Sequence, residues 1–407
     1  MKKYLKQIFI ISVILLFNAA QTVTVVGAGG GGNIFYIAPN GDDVNGDGSI
    51  GNPWVTLQKA QDNMVAGDTV YCRGGKYPRQ NVRWTASGTP SNWITIAAHP
   101  NETPIFGGGG TFIDTSIKHD VGYLIIDGLE IGWFNLGFLS KRGGDYIIRN
   151  CYFHDISANT AGAIHTSALP DHPIKNLTIE NCTFERIGRM EEGAHDHSIY
   201  PRGKHGNIII RNNYFKDSHG GPTIVGGPEG TSVNIYNNVF YLTVGAARTA
   251  IFIAGTTRPE GYNIYNNTII IDHVGATWSW ALKPFYYSGD LSKVVIKNNI
   301  IYYTATKTNP IITKAGNLPI MDNNIYFNTS DLDDTGANSF VADPLFTSIA
   351  NEDFRLQSTS PAIDAGVALG APLLDFAGKP RPQGQASTSA PMSLVPEARR
   401  HLIQPHQ

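Results

Sequence analysis

Cysteine is scarce in this sequence, and its scarcity excludes one class of fold. Cys72, Cys151 and Cys182 are the three cysteines among 407 residues, too few for a disulfide framework. Cys151 and Cys182 occupy the same position in two similar phrases, Asn-Cys-Tyr-Phe and Asn-Cys-Thr-Phe. An oxidised pair is one interpretation, but directly stacked parallel strands offer poor geometry for a bridge. Two buried thiols are therefore the favoured prediction.

Charge is also low and balanced. Lysine and arginine number 31 against 33 aspartate and glutamate residues, and charged residues make up 16% of the chain. No global field attracts nucleic acid, so none is expected as a partner. Any attraction for an acidic ligand must come from a local cluster of basic residues.

Long apolar runs are absent after the first twenty residues. The chain opens Met-Lys-Lys-Tyr-Leu-Lys, continues almost wholly apolar over residues 8–17, and reaches Ala19-Ala20. This pattern predicts a cleaved signal peptide over residues 1–27 and a secreted, periplasmic or cell-surface protein. A permanent membrane anchor is the weaker alternative because the apolar run is too short to span a bilayer.

Helical periodicity is missing, and a repeated strand-like phrase takes its place. The phrase has alternating apolar residues, then Asn, then an aromatic or aliphatic pair, and its asparagines are Asn150, Asn181, Asn212, Asn237, Asn266, Asn298 and Asn323. A weaker copy covers residues 124–131. The spacing of 25 to 32 residues between these asparagines is that of one solenoid coil with a variable loop. We predict an all-β fold, a right-handed parallel β-helix of about eight or more coils, forming one domain over residues 34–384.

The repeated asparagine has a structural explanation. A tight bend between two strands needs a residue that tolerates left-handed backbone angles, and stacked amides can bond in a ladder. A second strand in each coil is predicted around Gly162–Thr166, His197–Pro201, Gly221–Val225 and Ala250–Ile253. Before the coils, residues 57–64 predict a short helix, ended by Gly67, that caps the solenoid. Residues 385–407 fit no coil and are expected to be disordered.

Several short stretches near both ends resemble a known group of proteins. They are Tyr36-Ile-Ala-Pro-Asn-Gly-Asp, Asn52-Pro-Trp, Leu57-Gln-Lys-Ala, Gly67-Asp-Thr-Val, Gly74-Gly-Lys-Tyr, Asp343-Pro-Leu-Phe, Asp353-Phe-Arg-Leu, Ser358-Thr-Ser-Pro-Ala-Ile-Asp-Ala-Gly and Pro380-Arg-Pro-Gln-Gly. This pattern is similar to exported β-helix proteins related to the pectate, alginate and chondroitin lyases. The resemblance implies a polysaccharide lyase. One departure is Ala386-Ser-Thr-Ser-Ala-Pro, where such proteins usually continue into a short strand, which puts the C-terminal cap in doubt.

Histidines concentrate in the middle of the chain. Seven of the 12 are His154, His165, His172, His195, His197, His205 and His219. In the coil register His165 and Tyr200 take equivalent places in neighbouring coils, so we predict that they stack about 5 Å apart on an outward face.

This cluster has the residue types that β-elimination on a uronic acid requires. Arginine can neutralise the substrate carboxylate, a base must remove the C5 proton, and an acid must protonate the leaving oxygen. We assign Arg202 to the carboxylate, Lys204 or His197 to the base and Tyr200 to the acid, with His165 beside them. Further residues expected to bind flanking sugars of an acidic polysaccharide are Lys141, Arg142, His195 and Arg248.

Other functions stay open. A β-helix glycoside hydrolase needs two carboxyl groups at a defined separation, and Asp155, Asp196 and Asp217 lie in this region. A uronate C5-epimerase begins with the same proton abstraction, and a non-catalytic glycan-binding or envelope protein needs no chemistry. A monomer is expected.

Metal ions are weaker expectations. Asp43-Val-Asn-Gly-Asp-Gly resembles half of a calcium loop, but its twelfth position is Trp54 where a glutamate is needed, so a polar turn is favoured. Calcium bridging a substrate carboxylate stays open. Zinc at His195, His197 and Asp196 lacks a recognised spacing.

Overall fold

A computed structural model shows a parallel β-helix, as the repeats predict. It describes residues 31–117, 121–157, 162–169, 171–189, 196–219, 221–226, 232–243, 247–253, 261–272, 278–284, 291–307, 319–329, 336–367 and 374–381. The predicted signal peptide and the tail from residue 385 lie outside these ranges. Within them, no helix is long and apolar enough to cross a membrane.

Three parallel sheets form the walls of the solenoid, and each coil passes from sheet A to sheet B to sheet C. The eleven strands of sheet A are β1 Ile34–Ile37, β2 Thr69–Cys72, β5 Ile94–Ala98, β8 Leu124–Asp127, β11 Asp145–Arg149, β14 Ile174–Glu180, β17 His205–Arg211, β20 Ser232–Tyr236, β23 Gly261–Tyr265, β26 Val294–Lys297 and β28 Ile320–Asp322. The eleven strands of sheet B are β3 Gly75–Lys76, β6 Pro104–Phe106, β9 Glu130–Gly132, β12 Tyr152–His154, β15 Thr183–Glu185, β18 Tyr214–Lys216, β21 Val239–Leu242, β24 Thr268–Ile271, β27 Ile300–Lys307, β29 Ile325–Thr329 and β30 Phe340–Val341. The eight strands of sheet C are β4 Val82–Arg83, β7 Thr111–Asp114, β10 Leu136–Ser140, β13 Ile164–Ser167, β16 Ile199–Arg202, β19 Ile224–Gly226, β22 Ala247–Ile253 and β25 Trp278–Pro284. The predicted second strands therefore exist, with ends shifted by a few residues.

The core lies inside the three sheets and is built from stacks of like residues. In sheet B the rings of Phe153, Phe184, Phe215 and Phe240 stack with centroids 5.1, 4.8 and 4.7 Å apart. Because side chains alternate between the two faces of a strand, a parallel register places equivalent residues of successive coils directly above one another. Each coil thus buries its apolar face against its neighbours.

The turn from sheet A to sheet B uses two consecutive asparagines with separate tasks. The first has a left-handed backbone, with φ between 51° and 56° at the seven repeat asparagines from Asn150 to Asn323, as predicted. The amide ladder is made by the second one: Asn213 Nδ2 donates to Asn238 Oδ1, Asn238 to Asn267 and Asn267 to Asn299, each over 3.0 Å. The ladder was thus predicted at the wrong residue of the pair, because the first amide projects from the bend and only the second turns into the core.

Cys151 and Cys182 continue the ladder position in earlier coils. Both are free and buried, and their Sγ atoms lie 3.8 and 3.6 Å from the carbonyl oxygens of Ile126 and Ile148. The prediction of two buried thiols is confirmed. Burial raises the pKa of the Cys151 thiol well above its usual value.

The short helix α1 covers Leu57–Gln61 and is shorter than predicted. Thr56 Oγ1 caps it by accepting a hydrogen bond from Lys59 N. The helix ends before Asp62, and the Asn63 side chain then competes for a backbone hydrogen bond, since its Nδ2 donates to Lys59 O over 2.8 Å. Leu57, Ala60 and Met64 are buried in the core. That α1 closes the end of the solenoid stays a prediction.

The segment after the last coil lies along the side of the solenoid, against the outward face of sheet B. It contains the hairpin β31 Phe346–Ser348 and β32 Asp353–Leu356 with a 3-10 turn, Ile349–Asn351, between them. Phe354 packs 5.1 Å from the ring of Tyr241, and Glu352 accepts hydrogen bonds from Tyr214 Oη and Lys216 Nζ over 2.9 and 2.7 Å. This packing buries a second apolar cluster outside the coils.

Candidate active site

The candidate site is on the outward face of sheet C, where β13 and β16 pair in register. Ile164 pairs with Ile199 and His165 with Tyr200. The two isoleucines point into the core, so the next residue of each strand points outward. The rings of His165 and Tyr200 stack with centroids 5.0 Å apart and an interplanar angle of 26°. The predicted stacking is confirmed.

Two more side chains contact the Tyr200 ring. His197 meets it edge-on with centroids 4.9 Å apart, and Arg202 Cζ lies 5.6 Å from its centroid, within the range of a cation–π interaction. His165 and Tyr200 are half-buried, whereas Arg202 and Lys204 are exposed. The phenol is therefore held between two imidazoles and a guanidinium beside solvent.

His197 is buried, and its hydrogen bond defines its tautomer. Nδ1 lies 2.8 Å from the carbonyl oxygen of Pro222, which can only accept, so Nδ1 carries the proton in the neutral ring.

Two glycines pack against His197 at positions where a larger side chain would clash with it. A Cβ added to Gly162 would lie 1.2 Å from His197 O, and one on Gly221 would lie 2.9 Å from its ring.

His165, Tyr200 and Arg202 form an outward strip on sheet C. This strip is cationic because Arg202 and Lys141 place positive charge beside His165. Burial, together with the charges of Arg202 and Lys141, lowers the pKa of His165 to about 4. His165 is thus neutral at pH 7 and adds no charge of its own. Within the part of the chain that the structure describes, its Nε2 is buried without a hydrogen-bond partner.

The structure describes two of the four predicted sugar-binding residues in full, namely Lys141 and Arg142. Lys141 and Arg142 follow β10, the strand that pairs with β13, so they flank His165 in the neighbouring coil. Lys141 is exposed, and the Arg142 carbonyl accepts a hydrogen bond from Ser140 Oγ over 2.9 Å. Arg248 is on β22, two strands from β16, and its side chain and all of His195 lie outside the described residues.

His205 belongs to the core and not to this strip. It is on β17 of sheet A, where Nδ1 donates to Gly203 O over 3.1 Å and Nε2 lies 2.9 Å from Thr166 Oγ1. Because the carbonyl fixes the proton on Nδ1, Nε2 accepts from the Thr166 hydroxyl. Burial lowers the pKa of His205 to about 4.

This burial predicts an acid-sensitive fold. The folded-state pKa of His205 is below its ordinary value, so the unfolded chain takes up the proton first. The contribution of the buried neutral His205 to the free energy of unfolding is fully present above about pH 6.5. It is lost as the pH drops toward 4, and the loss is at most about 3 kcal/mol. We expect His205→Gln to reduce this loss, measured as the free energy of unfolding in urea at pH 7.5 and pH 4.5. Equal pH dependence in both proteins would contradict the assignment.

A second polar cluster, missed from the sequence, lies on the outward face of sheet B. His154 bonds Asp155 through Nδ1 over 2.8 Å and Glu130 through Nε2 over 3.3 Å, and Arg186 Nε donates to Asp155 over 2.7 Å. Burial lowers the pKa of His154, but the bonds to Glu130 and Asp155 outweigh it and raise the pKa above its ordinary value. The signal was available, since His154, Glu185 and Lys216 each follow a repeat asparagine by four residues.

The aspartates named for hydrolysis or metal binding are each bonded to protein groups. Asp155 holds Arg186, Asp196 accepts from Arg189 Nε over 2.9 Å, and Asp217 accepts from the Thr243 hydroxyl over 2.6 Å. Burial raises the pKa of Asp155, but the hydrogen bonds from Arg186 and His154 lower it below its usual value, so it does not hold a proton for general-acid work. In the polar loop before α1, Asp43 accepts a hydrogen bond from the Thr56 hydroxyl over 2.6 Å. Among the described residues no group of three or more His, Cys, Asp or Glu side chains is placed to hold a metal ion.

The fold defines a right-handed parallel β-helix protein that resembles the polysaccharide lyases. Residues 35–198 match a family described as Pel9A-like, right handed beta helix region. A stretch of 74 residues is 39% identical to pectate lyase PEL9 of Emericella nidulans (strain FGSC A4), covering 18% of each chain. The matched part therefore spans less than a fifth of that relative.

Two solved structures share the fold at low identity. A rhamnogalacturonan lyase superposes with a TM-score of 0.53 and 16% identity, over 79% of this chain and 92% of its own. A lacto-N-biosidase from Eubacterium ramulus superposes with a TM-score of 0.52 and 16% identity, over 76% and 67%. One is a lyase and the other a biosidase, so the architecture alone does not select the reaction.

Proposed function

We propose that this protein is a polysaccharide lyase that cleaves a uronic-acid-containing polysaccharide by β-elimination. The observation that carries the proposal is the Tyr200 phenol, held between His165 and His197 and flanked by Arg202 on an outward face. The similarity of residues 35–198 to a Pel9A-like region supports this class over others.

The chemistry begins with the substrate carboxylate, which Arg202 binds through its planar donors. Neutralising that carboxylate makes the adjacent C5 proton more acidic. Lys204 Nζ removes the proton, the electron pair forms the C4–C5 double bond, and the C4–O4 bond breaks. The Tyr200 hydroxyl gives its proton to the leaving oxygen.

The choice between the two candidate bases follows from exposure. His197 is buried beside Tyr200, while Lys204 is exposed at the turn from β16 to β17. We therefore give proton abstraction to Lys204 and the positioning of Tyr200 to His197 and His165.

Neighbouring sugars are proposed to be bound by Lys141, Arg142, Arg248 and His195. A calcium ion bridging the carboxylate is the alternative to Arg202 acting alone. The proposal also has the protein act outside the cytoplasm, as a monomer on an acidic polymer.

The test is incubation with pectate, alginate and chondroitin, each with added calcium and with a chelator. A new ultraviolet absorbance from an unsaturated uronate is the expected result. New reducing ends without absorbance would instead identify a hydrolase, and inversion at C5 without cleavage an epimerase. Binding without any chemical change would leave a glycan-binding protein.

A further inference from the structure

A cleft of about 250 Å³ opens on the outward face of sheet A, on a different sheet from the candidate active site. Its lining includes Tyr71, Ala97, Ala98, Asp127, Gly128 and Arg149. These residues come from β2, β5, β8 and β11 and the turn after β8, so four successive coils build it.

The cleft exists because one column of outward side chains is interrupted. In register, Tyr71 pairs with Ala97, Ala97 with Asp127, and Asp127 with Arg149. Further along the same column, large side chains fill the surface and contact one another: Glu180 accepts from Arg211 over 2.7 Å, and Tyr236 stacks on Tyr265 with centroids 4.9 Å apart. The alanine methyls leave a gap one coil wide.

One wall of the cleft is aromatic. The ring of Tyr71 is half-buried and lies 5.9 Å from the rings of both Tyr36 and His99. Its neighbours hold the ring in place, and together with the alanine methyls it gives the cleft an apolar side.

The other wall is polar, and its charges are balanced. Asp127 accepts hydrogen bonds from Arg149 Nε over 2.8 Å and from Asn150 Nδ2 over 2.7 Å. Because Arg149 uses Nε for this bond, its two Nη groups are further donors, and the Asp127 oxygens have further lone pairs. The pair carries no net charge, so it suits hydroxyl groups better than a second carboxylate.

We propose that this cleft binds one neutral pyranose unit of a saccharide. A pyranose has an apolar C–H face that fits Tyr71 and the alanine methyls, and hydroxyls that pair with Asp127 and Arg149. The volume suits a single ring, and one ring binds weakly, with a Kd on the order of 1 mM. This site goes beyond the proposed lyase activity and does not rest on it.

The test is saturation-transfer NMR with the full chain and the methyl glycosides of galactose, glucose, rhamnose and xylose, with galacturonate as the charged comparison. We expect saturation of at least one neutral glycoside. Ala97→Leu fills the cleft and Tyr71→Ala removes its aromatic wall, so each should weaken that binding by at least about tenfold. Tyr265→Ala, in the same column but outside the cleft, is the matched control and should bind as the parent does.

The outcomes separate this site from the lyase proposal. Lys204→Ala should keep neutral-sugar binding, whatever it does to turnover. The proposal is overturned if no neutral glycoside is saturated, if galacturonate alone is, or if Ala97→Leu and Tyr71→Ala bind like Tyr265→Ala. Thermal melting of each variant ensures that lost binding is not lost folding.

Discussion

Lys204→Ala is expected to lower turnover on the cleaved polymer by roughly 100- to 10,000-fold, the usual contribution of a general base. The side chain is exposed, so its removal leaves no cavity and the fold should stay intact. The measurement is the initial rate of ultraviolet absorbance, with the melting temperature as the check on folding.

Lys293→Ala is the matched control for this variant. Lys293 is also exposed and also precedes a strand of sheet A, and its carbonyl accepts from Tyr262 N as that of Lys204 accepts from Ile174 N. It is three coils away from Tyr200, so its removal should leave turnover unchanged. An equal loss in both variants would indicate a general charge effect and not a base.

Tyr200→Phe separates chemistry from packing at the same site. Phenylalanine keeps the ring against His165 and His197 and removes only the hydroxyl that donates the proton. We expect Tyr200→Phe to lose turnover by a factor similar to that of Lys204→Ala. Arg202→Ala should turn over roughly 100- to 1,000-fold more slowly than the parent. Near-normal rates in all three variants would remove the assignment.

Asn213→Ala is expected to cost about 3 kcal/mol of folding free energy. Asn213 Oδ1 accepts from Cys182 N over 2.9 Å, and Nδ2 donates to Ile179 O over 2.9 Å and to Asn238 Oδ1 over 3.0 Å. All of these groups are buried, so alanine would leave a donor and two acceptors without these bonds. Urea unfolding measures the loss.

The neighbouring asparagine provides the control. Asn212 has φ 55°, a conformation that glycine adopts without steric cost, so Asn212→Gly should change stability by well under 1 kcal/mol. If both variants lose similar stability, the amide ladder is not what holds this turn.

Much of the fold could be predicted from the sequence because parallel coils repeat one register. Once the repeat asparagines are aligned, strand alternation decides which residues face inward, and it placed His165 against Tyr200 correctly. The same alignment placed Cys151 and Cys182 in the core. Local backbone chemistry likewise identified the left-handed turn residue.

The candidate site could be predicted only in part from the aligned repeats. His205 lies near Tyr200 in sequence but turns into the core, where Thr166 of the preceding coil accommodates it. Whether a histidine at the first position of a strand, such as His205 in β17, bonds inward or outward depends on the neighbouring coil, and no pattern within the strand encodes it.

The sequence by itself determined the coil, its register and the outward pairing of His165 with Tyr200, since these follow from strand alternation and a repeated turn. Only the tertiary structure decided that the segment around Phe354 covers sheet B, that His154 and Asp155 join Arg186 in a partly buried network, and that Ala97 leaves an open cleft. The physical reason is that these contacts join groups from different coils, or segments more than a hundred residues apart, and such packing is set by the shape of the assembled surface.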